Sequence, residues 1–358
     1  MQRTMDQTRP RNTILWWGRF DADYSRNRIL RGLLAGCGYH IVDFRPRSSL
    51  TGTIEARLAG LPPVDAVWVP TFRQSDLRSA RRFADRRGIP LIFDPLISAW
   101  DKAVFERRKF SAASRRGRRL LAWERSLFAG ADVVLADSAP HGRFFVETLG
   151  AAPDRTFVVP VGAEEAVFPP QPYHGPHRPP ELLFFGSFIG LQGPEIIIDA
   201  AARLPEARWT LLGDGPLRPV CRQLAGDLPQ VHFEPWLPYD RLARRIGEAD
   251  ILLGIFGASP KAGRVIPNKV YQALACGRPL VTRCSEAYPQ ELAGDPGSGL
   301  CFVPPADAKA LAAAAAALLA APQQLAERGL NARRSYERFF SSRQVKQALL
   351  TALAAIDL

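Results

Sequence analysis

Three cations, Lys261, Arg264 and Lys269, crowd the start of one short predicted helix within Ile251–Thr282, ILLGIFGASPKAGRVIPNKVYQALACGRPLVT. The stretch reads as a buried strand, a cation-bearing loop, a helix opened by Pro267, a glycine at the helix end, and a second buried strand. Proline suits the first helical turn, where an amide hydrogen has no helical partner. A helix N-terminus presents unpaired N–H groups and the positive end of a dipole, so cations gathered there make an anion site fit for a diphosphate. Two glycine turns also follow predicted strands: Gly186 after Leu182–Phe185, and Gly213-Asp214-Gly215 after Trp209–Leu212. A glycine in that place lets backbone approach a ligand closely, or simply connects strand to helix.

In the first half, polar residues stand where predicted strands end. Gly18, Arg26 and Asn27 follow Ile14–Trp17, Asp94 follows Pro90–Phe93, and Asp137 follows Val133–Ala136 with His141 four residues on. Asp21-Ala22-Asp23 has the look of a metal-binding carboxylate pair but comes too early in the chain, and no metal is assigned to it. His174-Gly-Pro-His177 has ligand-like spacing but no companion Cys or carboxylate cluster, so it reads as connector. The segment Glu106–Arg125 carries Arg107, Arg108, Lys109, Arg115, Arg116, Arg118, Arg119 and Arg125, interleaved with Phe110, Leu120, Leu121 and Trp123. Such a segment suits an anionic membrane surface, or a solvated helix face with its apolar stripe on the core. Nucleic acid is a third partner to weigh, and no recognised binding module stands beside it.

The elements that position these residues form a steady rhythm. Short apolar runs at Ile14–Trp17, Tyr39–Phe44, Ala66–Val69, Pro90–Phe93, Val133–Ala136 and Phe157–Val159 alternate with amphipathic stretches. The second half repeats the pattern at Leu182–Phe185, Trp209–Leu212, Val231–Phe233, Ile251–Ile255, Pro279–Val281 and Leu300–Val303. Helices are predicted near Arg26–Ala35, Ser75–Arg87, Gly117–Phe128, His141–Leu149, Glu195–Leu204, Leu217–Ala225, Tyr239–Ala249 and Asn268–Ala275. Alternation of this kind predicts an α/β fold of doubly wound parallel sheets. Pro169–Pro180 holds six prolines in twelve residues and cannot be an element interior. It divides the chain into 1–168, a 169–180 linker and 181–334, with a helical tail, 335–358, that can pack back on the first unit. Ala306–Ala321 is predicted as a surface helix.

The chain has 358 residues, a length that suits two domains. A net charge of +12 and a pI near 10 point to an anionic partner. No apolar run approaches the roughly 18–20 residues of a membrane span, and the polar start MQRTMDQTRPRN does not read as a secretory leader. Five cysteines without a C-x-x-C pair fit reduced thiols and a cytoplasmic setting. No G-x-G-x-x-G follows the first strand, which argues against an NAD-dependent dehydrogenase.

Several motifs occur in order along the chain: Gly130-Ala131-Asp132-Val133-Val134-Leu135-Ala136-Asp137-Ser138, Val159-Pro160-Val161-Gly162-Ala163, Phe185-Gly186-Ser187-Phe188, Leu212-Gly213-Asp214-Gly215-Pro216, Pro267-Asn268-Lys269 and Ala273-Leu274-Ala275-Cys276-Gly277-Arg278-Pro279. Together they resemble the group 1, family-4-like glycosyltransferases of the GT-B fold, two Rossmann-like domains facing a cleft. The resemblance implies transfer of a sugar, with retention and without metal, from a nucleotide-diphosphate donor to an acceptor hydroxyl. It places the donor at Gly186, Ser187, Gly213, Asp214, Gly215, Pro267, Asn268 and Gln272, the last near the ribose. Gly18, Arg26, Asn27, Asp137 and His141 fall on the acceptor side, and Asp94 can orient an acceptor hydroxyl or cap a turn. The family's usual phosphate cations are replaced by Ser187 and Gln192, and its Glu-x7-Glu carboxylates by Arg264 and Gln272. Lys261, Arg264 and Lys269 are expected to take over the missing charge, because phosphate needs positive charge at the right point and not from one strand. The implied partners are a nucleotide sugar, a glycan or lipid-linked acceptor, and the inner face of the plasma membrane. A nucleotide-sugar epimerase of the same architecture and a non-catalytic binding subunit are the alternatives.

Overall fold

The computed structural model describes residues 12–107 and 109–358. The polar start of the chain and Arg108 lie outside the described residues. Six strands form the first sheet: β1 Thr13–Trp17, β2 His40–Phe44, β3 Ala66–Val69, β4 Leu91–Phe93, β5 Val133–Ala136 and β6 Thr156–Val158. Six form the second: β7 Glu181–Phe185, β8 Arg208–Leu212, β9 Val231–Glu234, β10 Ile251–Leu253, β11 Leu280–Arg283 and β12 Leu300–Val303. Helices α1 Ser25–Gly36, α2 Gly52–Leu58, α3 Leu77–Arg87, α4 Arg115–Phe128 and α5 Ala139–Glu147 link the first six strands. Helices α6 Pro194–Arg203, α7 Arg218–Ala225, α8 Tyr239–Glu248 and α9 Asn268–Ala275 lie among the second six. Helices α10 Ala308–Leu319, α11 Leu325–Phe339 and α12 Ser342–Ala354 close the chain.

The sheet orders are β2-β1-β3-β4-β5-β6 and β12-β11-β10-β7-β8-β9. Every neighbouring pair is parallel. A parallel sheet must be covered on both faces, so its strands are apolar throughout. Thr13–Trp17 and Glu181–Phe185 are accordingly buried at every position. On one face of the first sheet Trp17, Phe44, Phe83 and Phe128 pack under α2, α3 and α4. On the other, Trp16 stacks on Trp68 at 4.8 Å under α1 and α12. Strand order reverses between β1 and β3 in the first sheet and between β7 and β10 in the second. In open sheets of this type the crevice for ligands lies beyond the carboxyl ends at such points.

The structure meets some of these expectations and adjusts others. Helix α2 is an addition to the predicted elements: with Ile54 and Leu58 exposed, its seven residues lack a clear core-facing stripe. The helix predicted over Gly117–Phe128 is present as α4, which starts two residues earlier at Arg115, where Ser114 Oγ accepts from Gly117 N–H; upstream of it Lys102–Glu106 form a π-helical turn. The Ala-rich helix α10 is the expected surface helix, with Lys309, Ala313 and Ala317 exposed, and it buries Leu311, Ala315 and Leu318 in the second core. The tail is two helices, and a boundary at 335 falls inside α11. Of these it is α12 that packs on the first sheet, through Val345, Leu349 and Leu353.

Candidate functional site

The turns leaving β7 and β10, together with the start of α9, face the loops leaving β1 and β5 across a cleft of about 390 Å³. From the second half, Gly186, Ser187, Gln192, Trp236, Tyr239, Lys261, Pro267, Asn268, Lys269 and Gln272 are among its lining; the first half contributes Tyr24, Leu96, Ile97, Asp137 and Val161. A larger open hollow of about 610 Å³, beside Pro90, Asp132 and Arg155, lies at the amino ends of strands. That is the edge of a parallel sheet opposite to the one that binds ligands.

Gly186 is dictated by its surroundings. At φ 148° a Cβ there would stand 2.5 Å from Gln192 Oε1 and 2.9 Å from Lys269 Nζ. Gly213 and Gly215 serve a different end. A Cβ on Gly213 would meet the Gly186 carbonyl at 2.1 Å, and one on Gly215 would meet Phe188 N at 2.7 Å. These glycines let the β8 turn pack on the β7 turn, and neither lines the cleft. Asp214 is exposed and accepts from Gly215 N–H at 2.7 Å, also outside the cleft lining.

Pro267 occupies the N-cap of α9, one residue earlier than expected, and Asn268 and Lys269 form its first turn. Lys269 is only 4% exposed. Its Nζ donates to Gln192 Oε1 at 2.6 Å and stands 3.5 Å from the Phe184 ring centroid. Burial pushes its pKa well below that of an ordinary lysine, and among the described residues no carboxylate pairs with it. Lys261 lines the same cleft but is paired with Glu106. Arg264 departs from expectation. The 3-10 turn Lys261–Gly263 carries it away from the lining, so that its guanidinium donates to Asp101 at 2.9 Å and stacks 4.1 Å from the Phe144 ring centroid. Its carbonyl accepts from Ser138 Oγ. Arg264 therefore fastens the loop to the first half and is not among the residues that line the cleft.

The first-half candidates also separate. Asp94 is fully buried, and Arg26 Nε donates to both its oxygens at 2.8 and 2.9 Å. Arg26 donates further to the Val159 carbonyl at 3.0 Å. Burial raises the Asp94 pKa and the Arg26 charge opposes that rise. Neither side chain lines the cleft, so Asp94 is no free base or hydroxyl-orienting group. Asn27 closes its own loop, donating to the Asp21 carbonyl at 2.6 Å and accepting from Thr71 Oγ1 at 3.2 Å. Gly18 is required by packing, since a Cβ would stand 2.9 Å from Asp76 Oδ2. Asp137 does line the cleft, and its Oδ1 is 2.5 Å from Nδ1 of the buried His141, which backs it without lining the cleft itself.

Three groups escaped the sequence reading. Tyr24 reaches the cleft beside Asn268, and burial pushes its hydroxyl up to about 12. Tyr239 donates to Glu164 at 2.7 Å and accepts from Gln272 at 3.4 Å. Arg28 pairs with the same carboxylate at 2.8 Å and lies over the Tyr239 ring at 4.6 Å. A tyrosine two residues before Arg26 was the one local signal; nothing near Glu164 or Tyr239 marks either residue. Among the described residues no group of three or more His, Cys, Asp or Glu side chains converges on a metal position.

Two parallel α/β sheets facing one cleft define the GT-B architecture. The chain superposes on Alr3699/HepE of Anabaena, solved with UDP, with a TM-score of 0.70 and 15% identity over 96% of this chain and 100% of that one. It superposes on sucrose-phosphate synthase of Thermosynechococcus elongatus with a TM-score of 0.73 and 18% identity over 96% and 98%. The family model "Glycosyl transferases group 1" matches residues 179–321, and "Glycosyl transferase 4-like domain" matches residues 20–162. This chain belongs to the group 1, GT4-like glycosyltransferases. Curated relatives include D-inositol 3-phosphate glycosyltransferase of Thermomonospora curvata, 30% identical over 44% of this chain and 42% of that protein. The lipopolysaccharide core glycosyltransferase LpsE of Rhizobium meliloti is 31% identical over 43% of this chain and 44% of its own length. The matches thus span less than half of these relatives.

Proposed function

We propose that this chain transfers a sugar from a nucleotide-diphosphate donor to an acceptor hydroxyl with retention of anomeric configuration. The observation that carries the reading is Lys269, a buried cation at a helix start, aimed into the cleft without a carboxylate. Such a group costs free energy until an anion arrives. The donor diphosphate would lie between Gly186, the first turn of α9 and Lys261, where the fixed ammonium groups and the helix dipole stabilise it as it departs. The bond from the anomeric carbon to the diphosphate breaks while the acceptor oxygen bonds to the same face. The acceptor proton passes to a departing phosphate oxygen, and no protein base is required. Asp137, backed by His141, receives a hydroxyl of the acceptor or of the donor sugar. Residues 1–168 would hold the acceptor and 181–334 the donor.

HepE has been solved with UDP and with UDP-glucose, so UDP-sugars are the first donors to test here. A lipid-linked or envelope-glycan acceptor is supported by the basic face of the first sheet. There Ile54 and Leu58 of α2, and Leu50 just before it, are 61%, 81% and 87% exposed, next to the arginine-bearing α3. That face suits an anionic cytoplasmic leaflet. A thermal-shift series with UDP-, GDP- and dTDP-sugars checks the donor assignment. Stabilisation by one base class is expected, and no shift with any of them sinks it. An epimerase would release an altered nucleotide sugar in the absence of any acceptor, and a non-catalytic subunit would bind donor without turnover.

A further inference from the structure

We infer that Gln192 is a positioning residue for the donor diphosphate, its side-chain carbonyl holding the Lys269 ammonium over Gly186 at the floor of the cleft. The inference rests on the donor reading above and deepens it. Gln192 is anchored at both ends of its backbone: its N–H donates to the Ile189 carbonyl at 2.9 Å, and its carbonyl accepts from Phe256 N–H at 3.0 Å. The next residue, Gly193, sits at φ 64°, and a Cβ there would meet Gly257 N at 2.9 Å. The loop leaving β7 is thereby pinned to the loop leaving β10, and the direction of the Gln192 side chain follows.

The amide suits this place for a chemical reason. A lysine ammonium has three N–H donors and no acceptor. One donor goes to Gln192 Oε1 at 2.6 Å, and the Phe184 ring lies 3.5 Å from the nitrogen. The remaining donors are left for phosphate oxygens. A glutamate at 192 would hold the ammonium equally well but cancel the charge the diphosphate needs. An aliphatic residue would leave the charge and remove the tether. Glutamine directs the cation without neutralising it, while the ring cushions it on the protein side. Gly186 completes the arrangement, because any Cβ would collide with the Gln192–Lys269 bond.

Titration calorimetry with UDP, GDP and dTDP on the full chain tests the inference, with thermal unfolding as the check on folding. With the nucleotide that wild type binds, Gln192→Glu is expected to weaken binding by about tenfold or more, the size of one lost charge-assisted contact. Gln192→Leu is expected to weaken it by a smaller factor, and Lys269→Gln to weaken it at least as much as Gln192→Glu. The transposed double variant Gln192→Lys/Lys269→Gln returns the cation to the same point and is expected to recover most of what Lys269→Gln alone loses. A merely structural role for Gln192 does not predict that rescue. If Lys269→Gln abolishes binding while both Gln192 variants bind as wild type does, the positioning role is wrong and the donor site stands. If the transposed variant binds no better than Lys269→Gln, the two side chains do not share one point. If folded wild type binds none of the three nucleotides, the donor reading falls and this inference with it.

Discussion

The Lys269 ammonium is buried against Phe184 with one side-chain hydrogen bond, and burial holds its pKa well below the ordinary 10.5. Between the folded and unfolded values the unfolded chain binds more protons, so stability rises as pH climbs through that window. Below the folded value the cost of burying the charge is fully present. Lys269→Met is therefore expected to be more stable than wild type at low and neutral pH, by about 1 kcal/mol or more, a gain in Tm of roughly 2–4 °C. The difference shrinks as pH approaches the unfolded value. The same substitution is expected to weaken donor binding, if the donor lies at Lys269 as proposed. Thermal unfolding across pH, set beside donor titration, checks both signs, and a variant that loses stability at neutral pH while keeping donor affinity contradicts them together. Arg26 and Asp94 show the opposite balance: each is the other's partner, and neither is left to act on a substrate.

At the level of elements, the site is built from turns that need each other. The β7 and β8 turns touch backbone to backbone, with Gly186 N–H donating to the Leu212 carbonyl at 2.9 Å and Phe188 N–H to the Asp214 carbonyl at 2.9 Å. The 2.1 Å clash of a Cβ on Gly213 with the Gly186 carbonyl meets backbone and has no flexible side chain to displace. Gly213→Ala is expected to cost about 2–4 kcal/mol, through strain at φ 131° and separation of the turns. Urea unfolding measures this, and a loss below about 0.5 kcal/mol would show that the turns part easily. Helix α9 lies where the sequence puts it, Asn268–Ala275, because Pro267 precedes it, Gly277 follows it and Val270, Ala273, Leu274 and Ala275 give it an apolar packing face. No local pattern announces the π-helical turn Lys102–Glu106. The helical turn just before it, Ala99–Asp101, is held from a distance by Glu124, which accepts from the Ala99 and Trp100 N–H groups at 2.7 and 2.9 Å.

Across the whole molecule the halves are fastened by Arg264–Asp101, Lys261–Glu106 and Arg143–Glu286, and by Tyr239 of the second half, which donates to Glu164 and lies under Arg28 of the first. The outer face of the first sheet carries a different message. Helices α2 and α3 are in contact, and Arg78 of α3 donates to Ser126 of α4 at 3.1 Å, so Ile54 and Leu58 of α2 and the arginines of α3 and α4 lie on consecutive neighbouring helices. Wild type is expected to sediment with vesicles containing about 30% phosphatidylglycerol and less so at high salt. An Ile54→Asp/Leu58→Asp variant is expected to remain in the supernatant while still binding donor. Equal sedimentation of the two proteins, or none with wild type, removes the membrane reading.

The sequence by itself determined the two parallel sheets, the post-strand glycines and the cation-bearing start of α9. Those features follow from the alternation of apolar runs and from residues with little conformational choice, and both are local. Which cation faces the cleft without a counter-charge was decided only by tertiary structure. Lys261, Arg264 and Lys269 lie within nine residues of sequence, yet one meets Glu106, one is drawn to Asp101 and Phe144, and one is left free for an anion. Their partners come from 120 to 163 residues away, apart from Gln192 and Phe184 beside Lys269. Charge is written in a residue type, but whether it is neutralised depends on which distant groups the fold brings beside it.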